Sequence, residues 1–167
     1  MAGESGSGQA PHGLPGGPGR PYGGAQLPPT RIDPALTFEG FLGLEWLELT
    51  GEFASVRFAV RDDLKQPWGL VHGGIYSAVA ESVASIATVN AVWRDGLIGS
   101  GLSNSASFLR PVTAGTVHVT ARLRGHDARE WLWGHEFHDD GGRLCALVDV
   151  TIAVRPLHPG RGSRTAT

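Results

Sequence analysis

The sequence predicts an α+β domain: an antiparallel sheet whose apolar face is covered by one long helix. Three observations predict it. Residues 75–92 carry the one long pattern at helical spacing. Six other runs alternate apolar and polar residues or are rich in strand formers, two before the helix and four after it. The last four follow one another through turn signals, which is the order of hairpin-connected strands.

The ends differ from the middle. The chain has 167 residues with 25 Gly and 11 Pro, and residues 1–30 hold 9 of those Gly and 6 of those Pro. Few apolar groups there offset the entropy of ordering, so residues 1–33 read as a disordered Gly/Pro-rich tail. Residues 159–167 read as a flexible C-terminal tail. Residues 34–158 remain as one domain, long enough for a real core and too short for two.

Within that domain, residues 34–43 suit a short helix entered through Pro34. Residues 44–50 (LEWLELT) read as a strand. After Gly51, Ala54, Val56, Phe58 and Val60 alternate with Ser55, Arg57, Ala59 and Arg61, a half-buried strand. Residues 64–74 (LKQPWGLVHGG) form a loop. In the helix, Ile75, Val79, Val83 and Ile86 recur at spacings of four, four and three. Strands follow at 102–110, 116–124, 130–137 and 144–154. Trp131, Trp133, His135 and Phe137 share one side of the third, and Asp139-Asp140-Gly141-Gly142 marks a hairpin before the fourth.

Charge and composition exclude several classes. Net charge is −2, and residues 31–158 hold 11 bases against 15 acids, so nothing is available to track a phosphate backbone. Cys145 is the only cysteine, which removes intrachain disulfides and cysteine metal clusters. The N-terminus lacks the pattern of a signal peptide, and no apolar run reaches the ~18 residues of a membrane span. The expectation is a cytoplasmic protein with no nucleic-acid or membrane partner. His135 and His138 lie three apart on a strand and face opposite sides, so they make a poor metal pair.

The loop-to-helix junction carries the chemistry. His72-Gly73-Gly74 opens the helix, whose first N–H groups have no internal partner and face positive potential. Two glycines let another molecule approach that backbone. Ser77, Glu81 and Ser85 are four apart and form one polar stripe, with Glu81 the only carboxylate on the helix. Each feature alone has a plain structural reading: a solvated Glu, a Gly-Gly turn, small spacer serines, a His that caps the helix.

Together, Gln66, His72-Gly73-Gly74, Glu81 and Ser85 resemble the active-site pattern of hotdog-fold acyl-CoA thioesterases. The branch resembled is the helix-glutamate one, with 4-hydroxybenzoyl-CoA thioesterases and related aryl-CoA and enterobactin-pathway enzymes. FLRPVTAG (108–115) and DDGGRLCA (139–146) extend the resemblance over about residues 38–155. It implies a hotdog fold, a curved antiparallel sheet wrapped around the helix. It implies hydrolysis of an acyl- or aroyl-CoA to the acid and free CoA, with no cofactor. Gly73 would give its N–H to the thioester carbonyl, and His72 and Gln66 would orient groups around it. Glu81 would attack the carbonyl or activate water, and Ser85 would position Glu81 or the water. Gly74, Arg110 and Trp68 would bind substrate, Arg110 through the CoA phosphates, with Arg155 a second candidate there. The residues Gly125-His126-Asp127-Ala128-Arg129 depart from the Gly-Arg of many relatives. The resemblance also implies a homodimer or dimer of dimers, with Glu81 of one chain facing Gln66, His72 and Gly73 of the other.

The alternative is a non-catalytic acyl-CoA-binding hotdog module, against which the intact Gln66, His72, Glu81 and Ser85 set argues. A hotdog dehydratase would need an Asp/His pair in another context, which the sequence lacks.

Overall fold

A computed structural model describes residues 25–157. Residues 1–24 and 158–167 lie outside the described residues, and with them most of the expected N-terminal tail and all of the C-terminal one.

The expected helix at 34–43 is two pieces: a 3-10 turn, Pro34–Leu36, and a short helix α1, Phe38–Leu42. Asp33 Oδ1 accepts from the Ala35 N–H at 3.0 Å and starts the turn. Thr37 is extended and separates the pieces, and Gly43 at φ 65° ends α1. Strands β1 (Glu45–Leu49) and β2 (Phe53–Ala59) follow. The long helix α2 spans Gly73–Val92, starting two residues before its apolar pattern because His72 caps it. Then come β3 (Leu97–Phe108), β4 (Thr116–His126), β5 (Glu130–His138) and β6 (Leu144–Pro156).

β3 begins five residues earlier than expected. Gly96 at φ 72° closes the turn after α2, and the chain enters the sheet directly. Residues 97–101 (LIGSG) carry no alternation that could mark a strand. β3 ends at Phe108 because the N–H groups of Leu109 and Arg110 both turn to the Cys145 carbonyl, at 2.8 and 3.0 Å.

The six strands form one antiparallel sheet in the order β1-β2-β4-β5-β6-β3. α2 therefore carries the chain from near one edge of the sheet to the other. Turn chemistry holds the hairpins. Asp127 Oδ1 accepts from the Arg129 and Glu130 N–H groups at 2.7 and 2.8 Å. These bonds to its charged form hold its carboxyl below the usual range. Asp139 does the same for β5–β6, accepting from Gly141 and Arg143, with Gly142 at φ 72°.

The core lies between α2 and the inner sheet face. The buried stripe of α2 is Tyr76, Val79, Ala80, Val83, Ala84, Ala87 and Thr88. Ile75 and Ile86 only flank it. The stripe differs from the expected one because alanines at 80, 84 and 87 let the sheet approach closely. Val56, Phe58, Val117, Val119, Trp133, Phe137, Val148, Val150 and Ile152 meet it from the strands, all but unexposed. Each such side chain contributes about 1.5–3 kcal/mol on burial. The Trp133 Nε1–H donates to Thr88 Oγ1 at 2.9 Å, which satisfies two buried polar groups at once. α2 and its extension to Asp95 are long and apolar enough to cross a membrane. The run-length reading missed this because Glu81 and small residues break the run; here the helix is the core of the fold.

Residues 25–30 adopt neither helix nor strand, and the Gln26 N–H donates to Asn90 Oδ1 near the end of α2 at 2.8 Å.

His135 is fully buried on the inner face of β5. Its Nδ1 meets the Val148 carbonyl at 3.1 Å, so Nδ1 carries the proton and Nε2 is a lone pair with no partner. Burial, opposed by the Val148 bond and helped by Arg124, pushes its pKa from 6.5 down to about 4. The unfolded chain then binds this proton more tightly than the folded one. Stability therefore declines as pH falls from 6.5 toward 4. The loss from this group approaches about 3 kcal/mol. Urea unfolding at pH 7.5 and pH 5 should show this slope in the wild type and lose most of it in His135→Leu. The variant should be at least as stable at pH 7.5, because it removes the orphaned nitrogen.

Candidate active site

The loop before α2 is anchored at both ends by its backbone. The His72 N–H donates to the Leu64 carbonyl and the Val71 N–H to the Val112 carbonyl, at 2.9 and 2.8 Å. Between them, the Gln66 N–H donates to Leu70 and the Gly69 N–H donates to Gln66, both at 2.9 Å. The buried side chains of Leu64 and Val71 pin this turn to the core. Gln66 is thereby held at a fixed place beside the helix start. Trp68, at the tip, is 81% exposed and does not line the adjoining cleft.

His72 is the N-cap of α2: its Nδ1 accepts from the Gly74 N–H at 2.9 Å. A nitrogen that accepts carries no proton, so the neutral ring presents Nε2–H outward as a donor. The plain structural reading of this histidine thus holds, and it leaves the outer nitrogen available. The Gly74 N–H is taken by the cap. A Cβ at Gly74 would stand 3.1 Å from His72 Nδ1, so Gly74 makes room for the ring. The Ile75 N–H donates to the His72 carbonyl. The Gly73 N–H alone at this helix start has no acceptor among the described residues.

A cleft of about 360 Å³ opens beside Gly73. Gln66, Gly73 and Arg110 line it together with Leu70, Tyr76 and Phe108. The Phe108 ring lies against Gly73, where a Cβ would come within 2.9 Å of it. Tyr76 packs edge-on to Phe137 at 5.2 Å between ring centroids and lies 5.9 Å from Phe108. Burial pushes the Tyr76 phenol up to about 12, so it stays protonated. Arg110 donates Nη1 to the Leu144 carbonyl at 2.7 Å, which fixes the guanidinium at the cleft wall. Tyr76 and Phe108 escaped the sequence reading. The i, i+3 relation of Gly73 and Tyr76 on one helix face was the signal available for the first.

Glu81 and Ser85 are half-buried on the flank of α2 and lie outside this cleft. The Ser85 hydroxyl donates to Glu81 Oε1 at 2.9 Å. Eight residues of helix separate Gly73 from Glu81, about 12 Å along the axis. The bond to Ser85, one turn further on, draws the carboxylate away from Gly73. One chain therefore brings together Gln66, Gly73 and Arg110 at the cleft, with His72 capping the same helix start. Glu81 and Ser85 meet in a second place. Arg155 is exposed near the end of β6.

A six-stranded antiparallel sheet around one helix, with an open N–H at the helix start and one carboxylate on the helix, is the hotdog architecture of a thioester hydrolase. The chain belongs to the thioesterase superfamily, whose pattern matches residues 69–146. A Mycobacterium tuberculosis protein provisionally named an esterase, Rv1847, is 35% identical over 126 residues, which span 74% of this chain and 90% of that one. The 1,4-dihydroxy-2-naphthoyl-CoA hydrolase of Escherichia coli is 29% identical over 115 residues, 69% of this chain and 84% of that one. Among solved structures, a variant of the thioesterase PA1618 of Pseudomonas aeruginosa superposes with a TM-score of 0.71 at 27% identity. That match covers 74% of this chain and 89% of the other.

The cap separates two roles of His72. His72→Ala should cost about 1 kcal/mol of unfolding free energy, as cap losses do. His72→Asn, which can cap but offers a different outward donor, should recover most of that stability. Thermal unfolding of the pair measures the first role, and their residual hydrolysis measures the second.

Proposed function

We propose that the protein hydrolyses an acyl-CoA or aroyl-CoA thioester in a homodimer whose two chains complete each site. One observation carries this reading. The open Gly73 N–H and the Ser85-held carboxylate of Glu81 are complementary halves of a hydrolytic site, and one chain keeps them about 12 Å apart. A second chain supplies the missing half of each. The outer edge of β3 supports this arrangement. Residues 100–105 of that strand are exposed and, among the described residues, its outer edge has no strand partner, a ready template for a second copy.

In that dimer the thioester oxygen accepts from the Gly73 N–H at the positive end of α2, where negative charge develops as the carbonyl is attacked. The His72 Nε2–H and the Gln66 amide orient the groups around it. Glu81 of the other chain takes a proton from water, or attacks the carbonyl itself, and Ser85 fixes its direction. In the first route the water oxygen bonds to the carbonyl carbon, the C–S bond breaks, and the CoA thiolate takes up the proton that Glu81 removed. In the second, the C–S bond breaks to leave a mixed anhydride with Glu81, which a water then hydrolyses while the thiolate takes up a proton. Both give the carboxylic acid and free CoA. A thiolate is stable enough to leave without a strong acid beside it. Arg110 offers its remaining N–H groups to a CoA phosphate, and Gly74 keeps the cap in place.

The test is release of free thiol from a panel of acyl- and aroyl-CoA esters. Glu81→Ala should lower kcat by about 10³-fold on any ester the wild type turns over. Glu81→Ala and Gln66→Ala chains, each impaired alone, should regain activity when mixed and reassembled, because one site of the mixed dimer is intact. No turnover of any ester by the wild type would remove the proposal. Failure of the mixed chains to complement would remove its two-chain site.

A further inference from the structure

We infer that Gly101 is a positioning residue for Glu81: its missing side chain forms the slot in which the carboxylate lies. The inference rests on Glu81 being the reacting carboxylate. Gly101 pairs with Ile152 of β6, which is buried, and opposite residues of an antiparallel pair share a face. Gly101 therefore faces α2. A Cβ built there would stand 2.7 Å from Glu81 Oε1, 3.3 Å from its Cγ and 3.4 Å from its Cδ. Those three nearest atoms all belong to Glu81. Gly101 does not have a positive φ, so backbone conformation gives no reason for glycine here. The space it leaves does.

The surroundings sharpen this. The β3–β6 register shifts between Gly101 and Ser103, so a bulge at Leu102 bends the strand next to the carboxylate. Ser85 holds Oε1 from the helix side while the bare Gly101 backbone lies under it. One oxygen is thereby fixed. Oε2 has no hydrogen-bond partner among the described residues, and it is the oxygen left to meet water or the thioester. Gly99, two residues earlier, has a different role. A Cβ there would press on Ile152 and Thr88 at 3.0 Å, which is core packing.

The experiment uses the full-length enzyme and the CoA ester it turns over best. Gly101→Ala should lower kcat by about 10²-fold, the scale of a 1 Å misplacement, with KM and thermal midpoint near wild type. Gly99→Ala should lower the thermal midpoint and keep kcat per folded enzyme. Glu81→Asp retracts the carboxylate by one methylene. It should cost clearly less in the Gly101→Ala background than in wild type, a coupling that a general loss of structure does not produce. This coupling, read per folded enzyme, decides the matter even if Gly101→Ala is partly unfolded. Wild-type kcat in Gly101→Ala while Glu81→Ala is inactive would overturn the inference, as would strictly additive effects. Full activity in Glu81→Ala would instead overturn Glu81 as the reacting carboxylate, and the inference with it, while leaving the hydrolysis itself standing.

Discussion

A single helix has to cover the apolar face of six strands, and most of the structure answers to that constraint. α2 does so by presenting Ala80, Ala84 and Ala87 to the sheet, so that bulk comes from the strands instead. The sheet closes on it, and the Trp133–Thr88 hydrogen bond ties the far end. Coverage is unequal, however. The middle strands lose their inner face to the core, while β3, at the edge, runs along the flank of the helix with residues 100–105 exposed. Glu81 sits on that flank. A carboxylate there is removed from much of its water yet not sealed in, which suits the role proposed for it.

The start of the helix follows the same economy. Four N–H groups lack helical partners, and that of His72 itself goes to the Leu64 carbonyl. His72 takes the Gly74 N–H with its ring and the Ile75 N–H with its carbonyl, and the Gly73 N–H is left over. The cap and the open donor are thus one device. The ring that stabilises the helix directs its other nitrogen outward, and the glycine beside it makes space for that ring rather than for a ligand.

Most strands, the helix and most of the core were legible because periodicity is a strong signal where one face is buried. The sheet order was not: the four strands after the helix read as successive hairpins, but only β4, β5 and β6 are, and β3 pairs with β6 at the far edge because α2 carries the chain across the sheet before it. Val56, Phe58, Trp133 and Phe137 all followed from alternation. The start of β3 was not, since a strand of Gly and Ser on an edge has no buried face to pattern it. The site was legible as a set of residue types but not as a geometry. Spacing places Ser85 and Glu81 on one stripe, and the hydrogen bond between them followed. No sequence rule says that Phe108 lies against Gly73 or that Glu81 lies over Gly101, because those contacts join residues brought together only by the sheet. Trp68 shows the reverse: proximity in sequence to Gln66 does not place it among the residues that line the cleft of one chain.

The distance between Gly73 and Glu81 along α2 has a consequence for how such a protein can diversify. The carboxylate slot belongs to the middle of the helix and the first half of β3. The cleft walls belong to the 64–72 turn, the first turn of the helix and the last residue of β3. Substitutions that reshape Leu70, Tyr76 or Phe108 leave Ser85, Glu81 and Gly101 untouched. A lineage can therefore explore new acyl groups by drift at one end of the helix while purifying selection holds the other end fixed. In the proposed site, the walls that meet the acyl group and the hold on the carboxylate become separately heritable traits on a domain of ordinary size.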